Sequence, residues 1–250
     1  MDGVVRLATG ALVAVALAGC VSTGGPAGLT REQGERILAE LAAIRADLAR
    51  LNEAGAQRPA AGRFATLPSA GGHATLGRDD APVTIVEFTD LQCPHCARFA
   101  AQTLPEIRRE LVDSGRVRFV SRDLPLPMHR EAVPAAVAAR CAAEQGRYWE
   151  YREALFAAQV RLGEELYARV ATQLGLDAGR FAACRRERGP AYEQEVRADA
   201  SLAASAGING TPTFLVGRTA PGVFSGEKLS GARPYAEFEA RVAALLAGAK

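Results

Sequence analysis

Two cysteines separated by two residues, Cys93 and Cys96, are the residues of this chain best suited to chemistry. Such a pair can close a disulfide across one helical turn or supply half of a zinc site. The apolar run at residues 83–88 predicts a buried strand before the pair, and residues 97–104 have the spacing of an amphipathic helix after it. A zinc site needs two more ligands, and the sequence has no second Cys-x-x-Cys and no His-x-His cluster. We therefore expect thiol–disulfide chemistry and no metal.

The position of Cys93 at the predicted helix start favours its thiolate form. Free backbone amides and the positive end of the helix dipole stabilise an anion there, which lowers the pKa of a thiol. Pro94 fits the first helical turn because its missing N–H would have had no partner, and a charged His95 would stabilise the thiolate further. Stabilising the reduced form makes the corresponding disulfide a stronger oxidant. We expect Cys93 to attack the substrate and Cys96 to resolve the mixed disulfide.

The predicted strand before the cysteines carries one carboxylate, Glu87. Charged side chains are rarely buried without a role, so a buried Glu87 would exchange protons with Cys96. The alternative is a residue at the strand edge that faces solvent.

Three blocks of the sequence, in the same order, resemble the DsbA-like thiol:disulfide oxidoreductases of the thioredoxin superfamily. They are residues 76–96, 141–151 and 210–214, and the resemblance covers about residues 75–247. It implies an α/β, thioredoxin-like fold with a helical insertion at about residues 128–207. It also implies that the only redox group is the protein's own disulfide, with no cofactor.

The resemblance assigns a supporting role to Thr211 and Pro212. If the bond between them is cis, which is uncommon and usually site-specific, its backbone would lie beside Cys93 and offer strand-like hydrogen bonds to a substrate peptide. The best-known oxidases carry Val before this proline. Thr is more usual at this position in isomerase-like and reductase-like relatives.

The motif Cys-Pro-His-Cys is that of strongly oxidising family members. We therefore expect an oxidase that introduces disulfides into reduced or misfolded secreted proteins and exchanges electrons with an unidentified redox partner. An isomerase or reductase of the same fold is the alternative within this chemistry. A non-catalytic envelope binding module is the alternative from another class, and the intact Cys-x-x-Cys argues against it.

Composition and charge agree with a globular protein that acts on proteins. The 250 residues, 48% of them hydrophobic, are enough for one sizeable core with an insertion. A formal net charge of +2, with basic and acidic residues interspersed, gives no argument for nucleic acid as a partner.

The N-terminus predicts export and a lipid anchor. Residues 1–19 contain an early Arg6 and an apolar core at 11–17, which is too short to span a membrane and fits a signal peptide. The core ends in Leu-Ala-Gly followed by Cys20, which is similar to a bacterial lipobox in which the cysteine becomes the lipidated first residue. The alternative is an ordinary signal peptide in which Cys20 is incidental. Val21 rather than Asp after the cysteine favours the outer membrane of a Gram-negative cell, facing the periplasm.

Cys141 and Cys184 remain once the other cysteines are assigned. Two free thiols tend to be joined in an oxidising compartment, and some relatives carry a second bridge, so we expect a structural disulfide between them. The alternative is two separately buried thiols that behave as small hydrophobic side chains.

A helix is predicted between the lipid anchor and the catalytic domain. Residues 30–33 resemble a capping box, and apolar residues recur at alternating spacings of four and three, as in a coiled-coil seam. This stripe predicts a homo-oligomer through residues 30–53, unless the same side chains dock on the catalytic domain. The stripe consists of Ile37, Leu41, Ile44, Leu48 and Leu51.

The whole chain therefore divides into five predicted segments. They are a signal peptide at 1–19, a tether at 20–28, an amphipathic helix at 29–54, a linker at 55–74 and the catalytic domain at 75–250. Within the catalytic domain we expect strands at 83–88, 116–121, 213–216 and 222–225, helices at about 129–145, 147–159, 163–174, 178–188 and 191–206, and a last helix at 234–246.

Overall fold

The computed structural model describes residues 30–56, 62–69 and 74–248. The predicted signal peptide, Cys20 and the tether at 20–28 lie outside these residues. The chain forms two units, residues 1–58 and residues 59–250, which are described one after the other.

The first unit contains one long helix, α1 (Arg31–Ala56). Its start is a capping box, because the Thr30 amide donates to Gln33 Oε1 at 2.8 Å and the Gln33 amide donates to Thr30 Oγ1 at 3.2 Å. The predicted apolar stripe is exposed where it is described, with Leu41 51% and Ile44 54% accessible. The side chains of Leu48 and Leu51 lie outside the described part, and assembly through α1 stays a prediction.

A mixed six-stranded sheet is the framework of the second unit. Its strands are β1 (Phe64–Leu67), β2 (Ala74–Leu76), β3 (Val83–Thr89), β4 (Val117–Asp123), β5 (Thr213–Arg218) and β6 (Phe224–Ser230). They lie in the order β1-β6-β5-β3-β4-β2, with β3 parallel to β4 and antiparallel to β5. All seven residues of the central strand β3 are buried, because neighbouring elements cover both of its faces.

Helices cover the sheet and form the insertion. Two follow β3, namely α2 (Pro94–Gln102) and α3 (Leu104–Ile107), which continues into a π-helical turn at Arg108–Val112. Five lie between β4 and β5, namely α4 (Ala132–Ala143), α5 (Tyr148–Ala157), α6 (Glu164–Gln173), α7 (Ala178–Glu187) and α8 (Gly189–Ser205), and the last is α9 (Tyr235–Ala247). The predicted α/β fold with a helical insertion is confirmed.

The core fixes α2 against the sheet. On one face of the sheet, the ring of Phe99 of α2 packs at a tilt against those of Phe214 and Phe238, at centroid distances of 4.4 and 5.7 Å. Cys93 and Cys96 belong to a second buried cluster, which the insertion helices provide. The helix that carries both cysteines is therefore held between the sheet and the insertion.

Two predictions about the sheet were wrong. The predicted linker at 55–74 contains β1 and the first residue of β2, so the catalytic unit begins before residue 75. These strands are three and four residues long, and they form because they pair with β6 and β4, far away in sequence. The last strand runs over Phe224–Ser230 rather than 222–225, because Gly222 adopts a positive φ of 73° in the turn before it.

Candidate redox site

A tight turn joins β3 to the active-site helix, and Asp90 holds it in place. Asp90 is buried, and its carboxylate accepts hydrogen bonds from the amides of Gln92 and Leu126, both at 2.7 Å. His129 Nδ1 lies 2.8 Å from the same carboxylate. These contacts tie the loop after β4 to the turn that leads into Cys93.

Cys93 is the N-cap of α2 and Pro94 occupies the first helical turn, as the sequence predicted. The backbone of Cys93 is extended, with φ −79° and ψ 121°, so the helix begins directly after it. Cys93 is 3% exposed and Cys96 is fully buried, whereas Pro94 and His95 are exposed. Cys93 is therefore the sulfur nearer to solvent.

The two sulfurs carry free thiols with very different proton affinities. The Cys96 thiol, the Thr211 hydroxyl and the amides of Cys96 and His95 stabilise the Cys93 thiolate against burial and lower the pKa of Cys93 to about 5. At pH 7 the thiolate then outnumbers the thiol by about a hundred to one. Burial, the hydrogen bond to the Cys93 thiolate with its negative charge, and the negative charge of Glu87 raise the pKa of Cys96 well above its ordinary value.

His95 is exposed in the first turn of α2, where its ring contacts Arg98. Its Nδ1 lies 3.1 Å from Arg98 Nη2, and a guanidinium can only donate, so Nδ1 accepts this hydrogen bond. The backbone amide of His95 is among the groups that lower the pKa of Cys93, and the charge on its imidazole ring stays a prediction.

Thr211 and Pro212 lie at the rim beside Cys93. The peptide bond between them is cis, and the Cys93 thiol donates to the Thr211 carbonyl oxygen at 3.5 Å. Thr213 Oγ1 closes the loop by donating to the Gly210 carbonyl oxygen at 2.7 Å. Residues 207–213 also line an open cavity of about 330 Å³.

Glu87 is fully buried beneath the cysteines, so the alternative of a solvent-facing Glu87 was wrong. Both of its oxygens accept from Arg152 Nη2, at 2.6 and 2.8 Å. Burial outweighs this attraction and raises the pKa of Glu87. The Arg152 guanidinium lies between the rings of Trp149 and Phe156, 5.3 and 5.0 Å from their centroids.

Arg152 is the site residue that the sequence analysis missed. Tyr148, Arg152 and Phe156 recur at a spacing of four, which places the arginine on the same helix face as two aromatic residues. That spacing was the available signal for a buried cation.

The remaining cysteines are joined. The Sγ atoms of Cys141 and Cys184 form a disulfide that links α4 to α7. No group of three or more His, Cys, Asp and Glu side chains suited to a metal occurs in the described ranges. The described helices also include none with the length and apolar character needed to cross a bilayer.

Comparisons with known proteins support this reading of the fold. A family described as thioredoxin matches residues 69–233. BdbD from Bacillus subtilis, in its oxidised form, superposes with a TM-score of 0.60 at 25% identity, covering 74% of this chain and 98% of BdbD. DsbA2 from Pseudomonas aeruginosa superposes with a TM-score of 0.56 at 27% identity, covering 72% of this chain and 97% of DsbA2. The thioredoxin-like fold with a helical insertion is confirmed.

Curated relatives are much longer proteins. The Na(+)/H(+) antiporter NhaA 3 of Salinispora tropica is 40% identical over 168 residues, which is 66% of this chain and 25% of the antiporter. The NhaA antiporter of Herminiimonas arsenicoxydans is 36% identical over 140 residues, which is 56% of this chain and 21% of the antiporter. The chain thus spans about a quarter of the length of the curated relatives it matches.

Proposed function

Since this chain belongs to the thioredoxin family, in its DsbA-like group of thiol:disulfide oxidoreductases, we propose that it introduces disulfide bonds into reduced exported proteins. The observation that carries this proposal is the asymmetry of its two thiols. The pKa of Cys93 is lowered to about 5 while that of Cys96 is raised well above its ordinary value. A pair with one strongly stabilised thiolate favours the reduced dithiol and so oxidises its substrates.

The reaction transfers two electrons from substrate to protein. A substrate thiolate attacks Cys93 Sγ in the Cys93–Cys96 disulfide, and Cys96 leaves as a thiolate that takes up a proton. The second substrate thiolate then attacks the substrate sulfur of the mixed disulfide, and Cys93 leaves. Its departure is favoured because the thiolate of lowest pKa is the best leaving group. A separate redox partner must reoxidise the dithiol.

Glu87 is the proposed proton donor and acceptor for Cys96. Both groups are fully buried, so bulk water does not reach them directly. Because the pKa of Glu87 is raised, this carboxyl can hold a proton closer to neutral pH than an ordinary glutamate can. Arg152 orients the carboxylate and keeps part of it ionised.

Thr211 and Pro212 are the proposed substrate-binding backbone. An extended peptide that lies in the adjacent cavity of about 330 Å³ would place a cysteine beside Cys93. Main-chain hydrogen bonds of this kind are independent of sequence, which suits many reduced or misfolded proteins as substrates.

The cellular place of the protein is also part of the proposal. We place it on the periplasmic side of the envelope, with residues 1–19 as signal peptide and Cys20 as lipidated residue, in the outer membrane if the cell is Gram-negative. Mass spectrometry of the N-terminal peptide from membranes should give a diacylated cysteine. Recovery of the unmodified peptide in the soluble fraction would contradict it.

An isomerase is the second candidate, and Thr211 before the cis-proline favours it. The exposed stripe of α1 would also bring two active sites together if copies of the chain associate. Refolding of a scrambled disulfide protein distinguishes the two activities, since an oxidase that is fully oxidised does not correct wrong bonds.

The direct test is equilibration of the protein with glutathione buffers. We expect an equilibrium that favours the reduced protein far more than in thioredoxin, together with oxidation of a reduced substrate protein. Cys93→Ser should abolish this activity, and Cys96→Ser should trap a mixed disulfide on Cys93. If the wild-type protein does not equilibrate with glutathione and Cys96→Ser forms no mixed disulfide on Cys93, the protein is a binding module and the proposal fails.

A further inference from the structure

Thr89 carries a buried hydroxyl close to the two groups that must exchange a proton. It is the last residue of β3, it is 1% exposed, and its Oγ1 has no hydrogen-bond partner in the described structure. A buried hydroxyl without a partner destabilises a fold, so a native protein that keeps one has another use for it. Valine has the same shape and would avoid the penalty.

The position of Thr89 on the strand suggests that use. Residues two apart on a strand share a face, so Ile85, Glu87 and Thr89 all project from one side of β3. Ile85 packs in the same cluster as Phe99, which identifies this as the side that α2 covers. Thr89 therefore lies at the end of the strand under the helix that carries Cys96.

The hydroxyl acts on both groups that must exchange a proton. Although no hydrogen bond of regular geometry involves Thr89 Oγ1, the hydroxyl is close enough to interact with both groups by hydrogen bonding, which works against burial and lowers the pKa of Glu87 and the pKa of Cys96. In the described structure no hydrogen bond joins Cys96 to Glu87 directly. The other charged and titratable groups near the pair are Arg152 and Tyr148 from α5, Asp123 from β4 and Cys93 from α2.

None of these neighbours can take the place of a hydroxyl that passes a proton between Cys96 and Glu87. Arg152 is a permanent donor and cannot accept a proton. Burial raises the pKa of Tyr148 far above neutrality, and its hydroxyl lies 3.1 Å from Ser121 Oγ. Threonine is both donor and acceptor, so it can pass a proton on without becoming charged overall.

We propose that the Thr89 hydroxyl relays the proton between Cys96 and Glu87. The inference rests on the proposed redox function. When Cys96 leaves the disulfide as a thiolate, it takes the Thr89 hydroxyl proton while Thr89 oxygen takes the proton of the Glu87 carboxylic acid. The products are the Cys96 thiol, an unchanged threonine and the Glu87 carboxylate. In the reverse direction the carboxylate draws the proton back and Cys96 attacks the mixed disulfide.

The test follows the lifetime of a mixed disulfide on Cys93. Reduced protein is mixed with oxidised glutathione, quenched in acid at successive times and weighed by mass spectrometry. Formation of the adduct reports on Cys93, and its decay reports on attack by Cys96. Three variants are compared with wild type: Thr89→Val, Thr89→Ser, and Thr84→Val as a control, since Thr84 is a buried threonine of β3 whose hydroxyl is bonded to Thr219.

We expect Thr89→Val to slow the decay of the adduct at least tenfold and to leave its formation unchanged. In Thr89→Ser, which keeps a hydroxyl, the rate of adduct decay should stay within about threefold of the wild-type rate. The Thr84→Val control should decay at the wild-type rate. The pH profile should also change. Decay in the wild type should level off once Glu87 is ionised, whereas decay in Thr89→Val should rise in proportion to hydroxide because solvent must then remove the proton.

Several results would overturn the relay while leaving the redox function intact. One is an adduct in Thr89→Val that decays as fast as the adduct in the wild type. Another is a Thr89→Val/Glu87→Gln double variant in which adduct decay is slowed by the product of the two single effects. Loss of either residue already interrupts a single relay, so the two effects should not multiply. A third is equally slow decay in the Thr84→Val control, because the slowing would then follow from a disturbed β3 rather than from the Thr89 hydroxyl. If wild-type protein forms no adduct on Cys93, the redox function fails and the relay with it.

Discussion

Removal of Arg152 should destabilise the protein strongly, because it leaves the Glu87 carboxylate buried and unpaired. Glu87 is fully buried and both of its oxygens accept from Arg152 Nη2. Breaking one side of a buried ion pair costs about 3–5 kcal/mol. We expect Arg152→Met to lower the free energy of unfolding by this amount at pH 8, as measured by urea unfolding monitored by circular dichroism.

The loss should depend on pH with a defined sign. Burial already raises the folded-state pKa of Glu87 above that of the unfolded chain, and removal of Arg152 raises it further. The folded state then binds the proton more tightly than the unfolded state. Stability is therefore greatest below the unfolded pKa and falls as the pH rises through the folded pKa, by at most about 1.4 kcal/mol per pH unit. The deficit of Arg152→Met should shrink on acidification from pH 8 to pH 5.

Two further variants separate charge from packing. Arg197→Met removes an exposed ion pair with Glu193 on α8 and should cost less than about 0.5 kcal/mol. Arg152→Met combined with Glu87→Leu leaves no buried charge and should recover most of the stability. A loss under about 1 kcal/mol for Arg152→Met, or a loss equal at pH 5 and pH 8, would refute the reasoning.

Three other measurements follow from the structure. Ultraviolet absorbance of the thiolate should titrate with a midpoint near 5 for Cys93, and Thr211→Val should raise that midpoint because a stabilising hydroxyl is lost. Cys141 and Cys184 are 43 residues apart in the sequence, so selective reduction of their disulfide should lower the free energy of unfolding by about 4 kcal/mol in the chain-entropy model. An unchanged free energy of unfolding would contradict this prediction. Light scattering should give a multimer for protein with α1 and a monomer after Leu41→Glu, whereas a monomer in both cases would exclude the coiled coil.

Local pattern was enough to predict the elements that carry the cysteines. An apolar β-branched run, a turn and a proline at the helix start specify β3 and α2 without help from distant residues. The insertion helices were also predictable, and each predicted helix end lies within three residues of the observed one. The short edge strands β1 and β2 were not, since three or four residues carry too little periodicity and their pairing partners are distant in sequence.

The chemistry beneath the cysteines was only half predictable. The sequence marks Glu87 as a carboxylate on a buried strand, but its partner Arg152 lies 65 residues away on another element. The contact between His95 and Arg98 was within reach of sequence reasoning, because residues three apart face each other on a helix. The charge on the His95 ring stays a prediction, and its contact with Arg98 could have been anticipated from that spacing.

The asymmetry of the two sulfurs follows from less than one helical turn of displacement. Cys93 lies at the N-cap of α2, where the amides of His95 and Cys96 stabilise its thiolate, whereas Cys96 lies inside the helix and is destabilised as a thiolate by burial and by the charge of Glu87. The same dithiol therefore has one sulfur that is stable as a thiolate and one that must receive a proton to leave. A group that stabilises the thiolate of Cys93 makes the disulfide more oxidising, and a group that handles the proton of Cys96 changes only the rate. Changes at Thr211 should thus move the equilibrium with glutathione, while the proposed relay through Thr89 should leave it untouched.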